Sequence, residues 1–272
     1  ASLFCQKLRQ ILRYLDVSDS DMEKGQMRCE VNISLYPEGA DRLSGTKAEI
    51  KNINSFRSVE RAIEYEIVRQ TAVLEAGEKV VQETRGWDEV KNATVSQRKK
   101  ESAHDYRYFP EPDIPPFQFT LAYVEELRLS LPELPDAKLK RFLAEYALPE
   151  ADAVIITEDR ALAGYFEAVV SELGAKTEAK EIVAPLERSI KLAANYMLTE
   201  LRKHQTDHEE RIDDISITPE NYAEFISFIA DEKINSSAAQ TVLGEMYAGG
   251  DNDPSHIIER LNLSQVSDIA AL

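Results

Sequence analysis

The chain has 272 residues, of which 43% are hydrophobic and 30% are charged, and its formal net charge is −17. This length exceeds one typical domain of roughly 100–200 residues, so we expect two or three domains with a substantial buried core. Two cysteines are too few for a disulfide framework, and no apolar run approaches the roughly 20 residues of a membrane helix; the composition therefore excludes a disulfide-stapled secreted module and favours a cytoplasmic protein.

The charge is distributed unevenly along the chain. Residues 1–120 contain 18 Lys and Arg against 20 Asp and Glu, a net charge of −2, whereas residues 121–272 contain 14 against 29, a net charge of −15. Affinity for nucleic acid comes mainly from cationic side chains that replace the counterions of the phosphates. We therefore expect any contact with RNA to be local.

The first 120 residues combine helical and strand-like patterns. An apolar stripe of helical spacing predicts an opening helix from about Leu3 to Leu15. Residues 28–36 and 46–52 each alternate between apolar and polar side chains, with Pro and Gly turn chemistry between them, which predicts an antiparallel hairpin with one polar face. The polar face carries Glu30, Asn32, Ser34, Lys47, Glu49 and Lys51.

A helix is predicted to follow the hairpin and to pack on its apolar face. Asn54 or Ser55 supplies the polar side chain that caps its start, and Gly77 ends it. Two further strands are predicted at 79–87 and 93–95.

Beyond Phe119 the pattern changes to amphipathic helices separated by short breaks. Asp136 is a candidate cap for one of them, and Thr218 with Pro219 marks the start of another. The predicted helices lie near 121–129, 136–146, 158–173, 182–203, 236–247 and 254–261, with a further helix after Thr218 and a polar linker at 204–217. The sequence thus predicts an α+β unit followed by two all-helical units.

The polar face of the hairpin is the first candidate site. Carboxylates such as Glu30 and Glu49 are oxygen ligands of the kind that Mg²⁺ prefers, and Lys51 beside them would neutralise the phosphates that Mg²⁺ bridges. From the pattern alone, however, an ordinary solvated face is the more common explanation, because most polar faces of hairpins have no other role.

Residues 104–116 form a second candidate site, in which four prolines stiffen a segment rich in aromatic and charged side chains. The alternative is that the aromatic side chains anchor the loop to the core, with Arg107 paired to Asp105. His204 and His208 have the i, i+4 spacing of a helical zinc site, but no third ligand lies nearby, so a solvated helix end is favoured. Cys29 lies on the apolar strand face and is interpreted as a core residue.

Several sequence blocks resemble a known family when they are taken together. MEKGQMRCEVNISLYPEG, GTKAEIKNINSFRSVERAIEYEIVRQ, GEKVVQETRGWDE and HDYRYFPEPDIPP are similar, in order and spacing, to consecutive signature blocks of GatB, the B subunit of tRNA-dependent amidotransferases. LPELPDAK and SITPENYAEF resemble the helical domain of that family and the start of its YqeY-like tail. The resemblance implies a glutamine-synthetase-like antiparallel cradle at 1–120, a helical domain at 121–204 and a truncated YqeY-like tail at 205–272.

The resemblance also implies an activity. Members of the family use ATP and Mg²⁺ to phosphorylate the side-chain carboxylate of Glu-tRNA(Gln) or Asp-tRNA(Asn), and ammonia from the partner amidase GatA then displaces the phosphate. The small protein GatC binds both partners. The reaction class is that of a carbon–nitrogen ligase with glutamine as the amido donor (EC 6.3.5.-).

Site roles follow from the resemblance, position by position. Glu30, where the family usually has Asp, and Glu49 correspond to metal ligands. Arg85 and Arg107 lie in matching motifs, where their chemistry and location suit contacts with phosphate or with the 3′ end of the tRNA. The assignments made on this basis, and from the block that borders the pocket, are catalytic roles for Lys51 and Arg107, and ATP-binding roles for Asn52, Asn54, Ser55 and Arg85. The family's Glu-x-His segment, with further metal ligands, is expected before Ala1, so this piece alone should not turn over.

Two other functions remain open from the sequence. One is a tRNA-binding or scaffold fragment without catalysis, in which the hairpin is only structural. The other is an enzyme of the glutamine-synthetase type that acts on free glutamate, although it would not explain two appended helical units.

Overall fold

The computed structural model of the chain describes residues 1–99, 110–250 and 252–265, with the backbone alone at 98 and 99. It divides into two compact units, Ala1–Pro132 and Glu133–Leu272. The first unit is mixed α and β, and the described part of the second is helical. This agrees with the predicted α+β class.

The first unit is built on a four-stranded sheet in the order β1-β2-β3-β4. Its elements are α1 (Ser2–Tyr14), β1 (Cys29–Ile33), β2 (Ala48–Ile53), α2 (Phe56–Glu75), β3 (Glu83–Asp88), β4 (Ala93–Lys99) and α3 (Leu121–Ser130). The outer pairs β1–β2 and β3–β4 are antiparallel, whereas β2 and β3 are parallel. The predicted hairpin is confirmed, and α2 is the crossover that a parallel pair requires.

Local sequence explains the bounds of α2. The Ser55 side chain accepts a hydrogen bond from the Ser58 N–H at 3.1 Å, which satisfies one of the unpaired amides of the first turn. At the other end Gly77 adopts a φ of 76°, and the Glu78 N–H donates to the Val73 carbonyl at 3.1 Å. A left-handed glycine followed by this bond ends a helix, so both predicted bounds are confirmed.

The core of the first unit lies between α2 and the sheet. It consists of Ile50, Ile53, Val59, Ala62 and Trp87, all at most 5% exposed. Burial of each large apolar side chain contributes about 1.5–3 kcal/mol, so this face anchors the strands. The strand predicted at 79–87 begins only at Glu83.

The second unit is a helical bundle with a continuous apolar core that runs from Phe142 to Ile258. Its α-helices are α4 (Pro135–Glu145), α5 (Glu150–Glu158), α6 (Arg160–Glu178), α7 (Leu186–Tyr196), α8 (Arg202–His208), α9 (Pro219–Ala230), α10 (Ser236–Ala248) and α11 (Pro254–Leu261). Residues on both sides of position 204 share this core, and the three-domain division stays a prediction. Within the parts of the chain that the structure describes, none of the helices combines the length and the apolar character needed to cross a membrane.

Two details of the bundle differ from the predictions, and a third confirms one of them. Leu134 precedes α4 and Pro135 takes its first position, so Asp136 lies inside the first turn and is not the cap. A π-helical turn, Met197–Leu201, connects α7 to α8, and the first residues of the predicted linker are therefore helical. The start of α9 is confirmed, because the Thr218 side chain accepts from the Asn221 N–H at 3.2 Å.

Candidate active site

The exposed face of β1 and β2 brings three predicted residues together. Lys51 Nζ lies 3.2 Å from Glu30 Oε1 and 3.7 Å from Glu49 Oε1. The β1–β2 pairing shifts register between Cys29 and Val31, so Glu30 lies in the irregular part of β1. The two carboxylates of the hairpin therefore face one point, which the ammonium group of Lys51 occupies.

The charges at this point are accessible to solvent. The side chains of Glu30 and Lys51 are 47% and 41% exposed, and that of Glu49 is 15% exposed. The hydrogen bond with Glu30 and the negative charges of Glu30 and Glu49 raise the pKa of Lys51, so this side chain stays cationic at neutral pH. Ion pairs this exposed add little to stability, which leaves a ligand-binding role open.

The donor chemistry of this point fits a hard divalent cation, but the number of donors falls short. Carboxylate oxygens are the ligands that Mg²⁺ prefers, and it takes about six in octahedral geometry. Among the residues that the structure describes, no group of three or more His, Cys, Asp and Glu side chains converges as a metal site. Glu30 and Glu49 thus suit part of a metal site.

Thr84 is a residue of this site that the sequence analysis missed. It pairs with Glu49 across the parallel β2–β3 ladder, and its hydroxyl donates to Glu49 Oε2 at 3.2 Å. Thr84 is 7% exposed. Alternation along β3 places Thr84 and Gly86 on the side opposite to Arg85, but only the pairing of β3 with β2 shows that this side carries Glu49.

Gly86 forms the floor beside Lys51, its partner in the parallel ladder. A Cβ atom at Gly86 would lie 2.2 Å from Gln97 Nε2 and 3.2 Å from Asn52 Nδ2. Two carboxamides therefore lie over the position that a side chain would fill. Gln97 is a second residue of this face that the sequence analysis missed.

The predicted ATP-binding residues at the end of β2 have different environments. Asn52 is exposed, has a φ of 59° and directs its amide toward Gly86. Asn54 is exposed at the end of the strand. Ser55 is the cap of α2, and its Oγ also lies 2.7 Å from Ser58 Oγ. Of these three side chains, the structure brings that of Asn52 to the polar face.

Arg85 lies on the opposite side of the sheet from this point, and its predicted contact with ATP stays a prediction. It pairs with Ile50 in the parallel ladder and therefore lies on the α2 side of the sheet. Its guanidinium donates to Thr94 Oγ1 at 2.7 Å and to the Thr94 carbonyl at 2.8 Å, and it forms ion pairs with Glu66 and Glu83. These contacts give Arg85 a structural role.

Glu66 is the centre of this buried network and is 0% exposed. It accepts hydrogen bonds from Arg69 at 2.7 and 2.9 Å and from Gln70 at 3.1 Å, and it also accepts from the Thr94 hydroxyl. Burial alone would raise the pKa of Glu66, but the hydrogen bonds from Arg69, Thr94 and Gln70 outweigh it and lower that pKa.

Glu83 behaves in the same way. Burial opposes its ionisation, yet hydrogen bonds from Ser96 and Arg85 lower the pKa of its carboxyl below the ordinary value. The network therefore holds two carboxylates, Glu66 and Glu83, in their charged form inside the unit, where each has several donors.

The second candidate segment of the sequence, 104–116, is described only from Pro110 onward. Arg107, predicted to be catalytic, lies outside the described residues, as do His104 and the aromatic side chains near it. The prolines that follow are exposed.

The two histidines of α8 contact an aromatic ring. The rings of His204 and His208 lie 5.0 and 5.2 Å from that of Tyr247 on α10. Burial, followed by the charges of His208 and Lys203, lowers the pKa of His204. Packing thus explains this pair without a metal.

The two cysteines are free thiols whose sulfur atoms lie 3.8 Å apart, Cys5 on α1 and Cys29 on β1. Burial and the neighbouring Cys5 raise the pKa of Cys29 to about 11. A thiol with that pKa is a poor nucleophile at neutral pH, which agrees with the interpretation of Cys29 as a core residue.

Comparison with known proteins assigns the chain to a family. The model of the GatB/GatE catalytic domain matches residues 1–125, and that of the GatB domain matches residues 165–272. The chain is 43% identical over its whole length to the B subunit of the aspartyl/glutamyl-tRNA(Asn/Gln) amidotransferase of Herpetosiphon aurantiacus. The proteins of the same name from Nitrosococcus oceani and Persephonella marina are 46% and 45% identical over 100% and 98% of the chain.

These matches also show how much of a relative the chain represents. It spans 54% of the Herpetosiphon and Nitrosococcus proteins and 53% of the Persephonella protein, about half the length of the curated relatives it matches. The residues Glu30, Glu49, Lys51 and Thr84 all fall inside the first family match. Since the two family models and the relatives agree, the chain belongs to the GatB family of amidotransferase B subunits.

Proposed function

We propose that this chain is part of the protein that activates the side-chain carboxylate of Glu-tRNA(Gln), Asp-tRNA(Asn) or both with ATP, for amidation by ammonia. The observation that carries the proposal is the convergence of Glu30 Oε1 and Glu49 Oε1 on Lys51 Nζ, on an exposed strand face. Family membership supports it, because the matched relatives are named as components of aspartyl/glutamyl-tRNA(Asn/Gln) amidotransferases.

The chemistry needs the charges that this face presents. A carboxylate is a poor electrophile, and phosphorylation gives it a leaving group that ammonia can displace. Mg²⁺, when bound, supplies charge neutralisation for the phosphate oxygens. Glu30 and Glu49 would hold part of the cation's ligand shell, and Lys51 would balance phosphate charge. Asn52 would offer its amide to the nucleotide at the edge of the face.

The remaining family features are part of the same proposal. The sheet of the first unit would be part of a glutamine-synthetase-like cradle, and the last helices would begin a YqeY-like tail. GatA would supply ammonia from glutamine, GatC would join both proteins, and Arg107 would act near the transferred groups. The acidic second half of the chain favours few phosphate contacts with tRNA.

The test compares two Glu-to-Gln variants of the full-length protein in its complex. Glu49→Gln should lower ATP-dependent formation of Gln-tRNA or Asn-tRNA about 100-fold or more, because it removes a carboxylate that would hold the cation needed to neutralise the phosphate. Glu60→Gln, on the exposed side of α2, is the matched control and should keep its activity. Binding of tRNA, measured by filter retention, should be unchanged in both.

Two outcomes would contradict the proposal. If Glu49→Gln retains both turnover and tRNA binding, the carboxylates are structural and the scaffold function gains support. If ATP is consumed with free glutamate at the same rate when tRNA is omitted, the substrate is not an aminoacyl-tRNA.

A further inference from the structure

The two cysteines of the chain meet between α1 and β1. Cys5 and Cys29 are 24 positions apart in sequence, yet their sulfur atoms lie 3.8 Å from each other. Both are free thiols, and both residues are half-buried, so a small reagent can reach them. The fold therefore presents a pair of thiols in contact rather than two isolated ones.

The two sulfur atoms are close enough to form a disulfide bond after a small movement. The bond length of a disulfide is about 2.05 Å, so the atoms must approach each other by roughly 1.8 Å. Cys5 lies in the first turn of α1, and helix ends adjust more easily than helix centres. Cys29 is the first residue of β1 and borders the irregular pairing between Cys29 and Val31. Both backbone positions can thus accommodate the approach.

The chemistry of Cys29 suits a reaction with its neighbour better than an attack on an external reagent. Burial, followed by the contact with Cys5, raises the pKa of Cys29 to about 11, and a thiol of this kind reacts slowly with reagents from solution. A partner that is already in contact, however, acts at a high effective concentration, which offsets the small fraction of thiolate.

We propose that Cys5 and Cys29 are a reversible redox pair, which a peroxide converts into a disulfide bond between α1 and β1. The Cys5 sulfur attacks one oxygen of hydrogen peroxide, the O–O bond breaks, and water leaves with the thiol proton, so that Cys5 becomes a sulfenic acid. The Cys29 sulfur then attacks the Cys5 sulfur, the S–O bond breaks, and a second water carries away the proton of Cys29. The two thiols lose two electrons together, and the peroxide is reduced to two molecules of water.

The position of the pair gives the disulfide a defined place in the first unit. Cys29 directly precedes Glu30 and pairs with Ile53 of β2. The bond would therefore attach the first turn of α1 to the stretch of β1 that carries Glu30. Its formation does not depend on the proposed function, because neither a carboxylate nor a cation takes part in it.

The test maps disulfide bonds in the full-length protein in its complex. The reduced complex is treated with hydrogen peroxide, the remaining thiols are alkylated, and tryptic peptides are analysed by mass spectrometry without reduction. We expect the peptide that ends at Lys7 to be linked to peptide 29–42, with the mass of the two peptides less two hydrogen atoms. Dithiothreitol should restore both thiols, and Cys5→Ser should remove the link.

A mixture of isotope-labelled and unlabelled protein shows whether the bond forms within one molecule. The proposal requires linked peptides that both carry the label or both lack it. Links between labelled and unlabelled peptides would overturn it, as would oxidation of each cysteine to a sulfinic acid without any link. The measurement on the unsubstituted protein decides between these outcomes even if Cys5→Ser does not fold.

Discussion

The two faces of the four-stranded sheet both carry carboxylates beside cations, yet the groups have different surroundings. On the α2 face, Glu66 is 0% exposed and accepts hydrogen bonds from several donors. On the opposite face, Glu30 and Lys51 are about half exposed, at 47% and 41%. The comparison shows that the surroundings of an ion pair, rather than its residue types, separate a structural network from a candidate site.

Physical reasons connect each environment to its role. A buried charge is tolerable only when it is fully paired, and loss of one partner leaves the rest uncompensated. An exposed pair contributes little to stability, because water and salt screen it, so its partners can exchange for a ligand. Substitutions on the α2 face should therefore lower the stability of the unit, whereas substitutions on the exposed face should change activity with little effect on stability.

The largest expected effect is on the stability of the first unit. Glu66→Gln leaves Arg69 without its buried counter-charge and removes one of the two carboxylates paired with Arg85, and we expect a loss of about 3–5 kcal/mol in the free energy of unfolding. Trp87 is the only tryptophan and lies in this core, so its fluorescence during urea denaturation of the chain reports on this unit. Glu30→Gln, the matched change at the exposed carboxylate of the other face, should cost less than about 1 kcal/mol. Equal losses in the free energy of unfolding would contradict the difference between the two faces of the sheet.

The second effect is on the response to acid. The pKa values of Glu66 and Glu83 are lowered in the folded state, below the ordinary value of 4.5. Their contribution to stability is complete above that value and is lost as the pH falls through the folded-state pKa values. The urea concentration at the midpoint of unfolding, followed by Trp87 fluorescence, should therefore decrease as the pH is lowered below about 4.5. This decrease should be smaller in Glu83→Gln. Parallel curves for the two proteins would contradict the buried network.

The smallest effect is expected at Gly86, on the floor of the exposed face. An added Cβ would displace the flexible Gln97 amide, 2.2 Å away, rather than backbone. Alanine also lowers the entropy of the unfolded chain, so we expect Gly86→Ala to change the free energy of unfolding by less than about 1 kcal/mol. A loss above about 2 kcal/mol in the same denaturation assay would show that this face is packed like the other.

Local signals in the sequence were sufficient for much of the fold. Alternation placed Glu30 and Glu49 on one face of a hairpin, and capping chemistry placed the start of α2 at Asn54 or Ser55 and that of α9 at Thr218. The family resemblance, carried by the blocks around these residues, is confirmed by the family matches. These features depend on neighbours in sequence, which is why one sequence reveals them.

Features that depend on distant partners were not predictable. The parallel pairing of β2 with β3 brings Thr84 to Glu49 across 35 positions of sequence, and hairpin patterns contain no information on it. The ATP-binding role of Arg85, assigned from its matching motif and its chemistry, stays a prediction, and only the strand pairing shows that Arg85 lies on the α2 face. The separate helix Glu150–Glu158 was missed because Asp159 alone marks the break before α6.

The parallel β2–β3 ladder also has a consequence for the order in which the unit assembles. The β3–β4 hairpin closes over a short turn, whereas β2 meets β3 only after α2 has crossed between them. Loop closure costs more entropy for the distant pair, so we expect this ladder to form after the local hairpin. Glu49 and Thr84 face each other across it, and the proposed cation site would therefore be completed only when the sheet itself is complete.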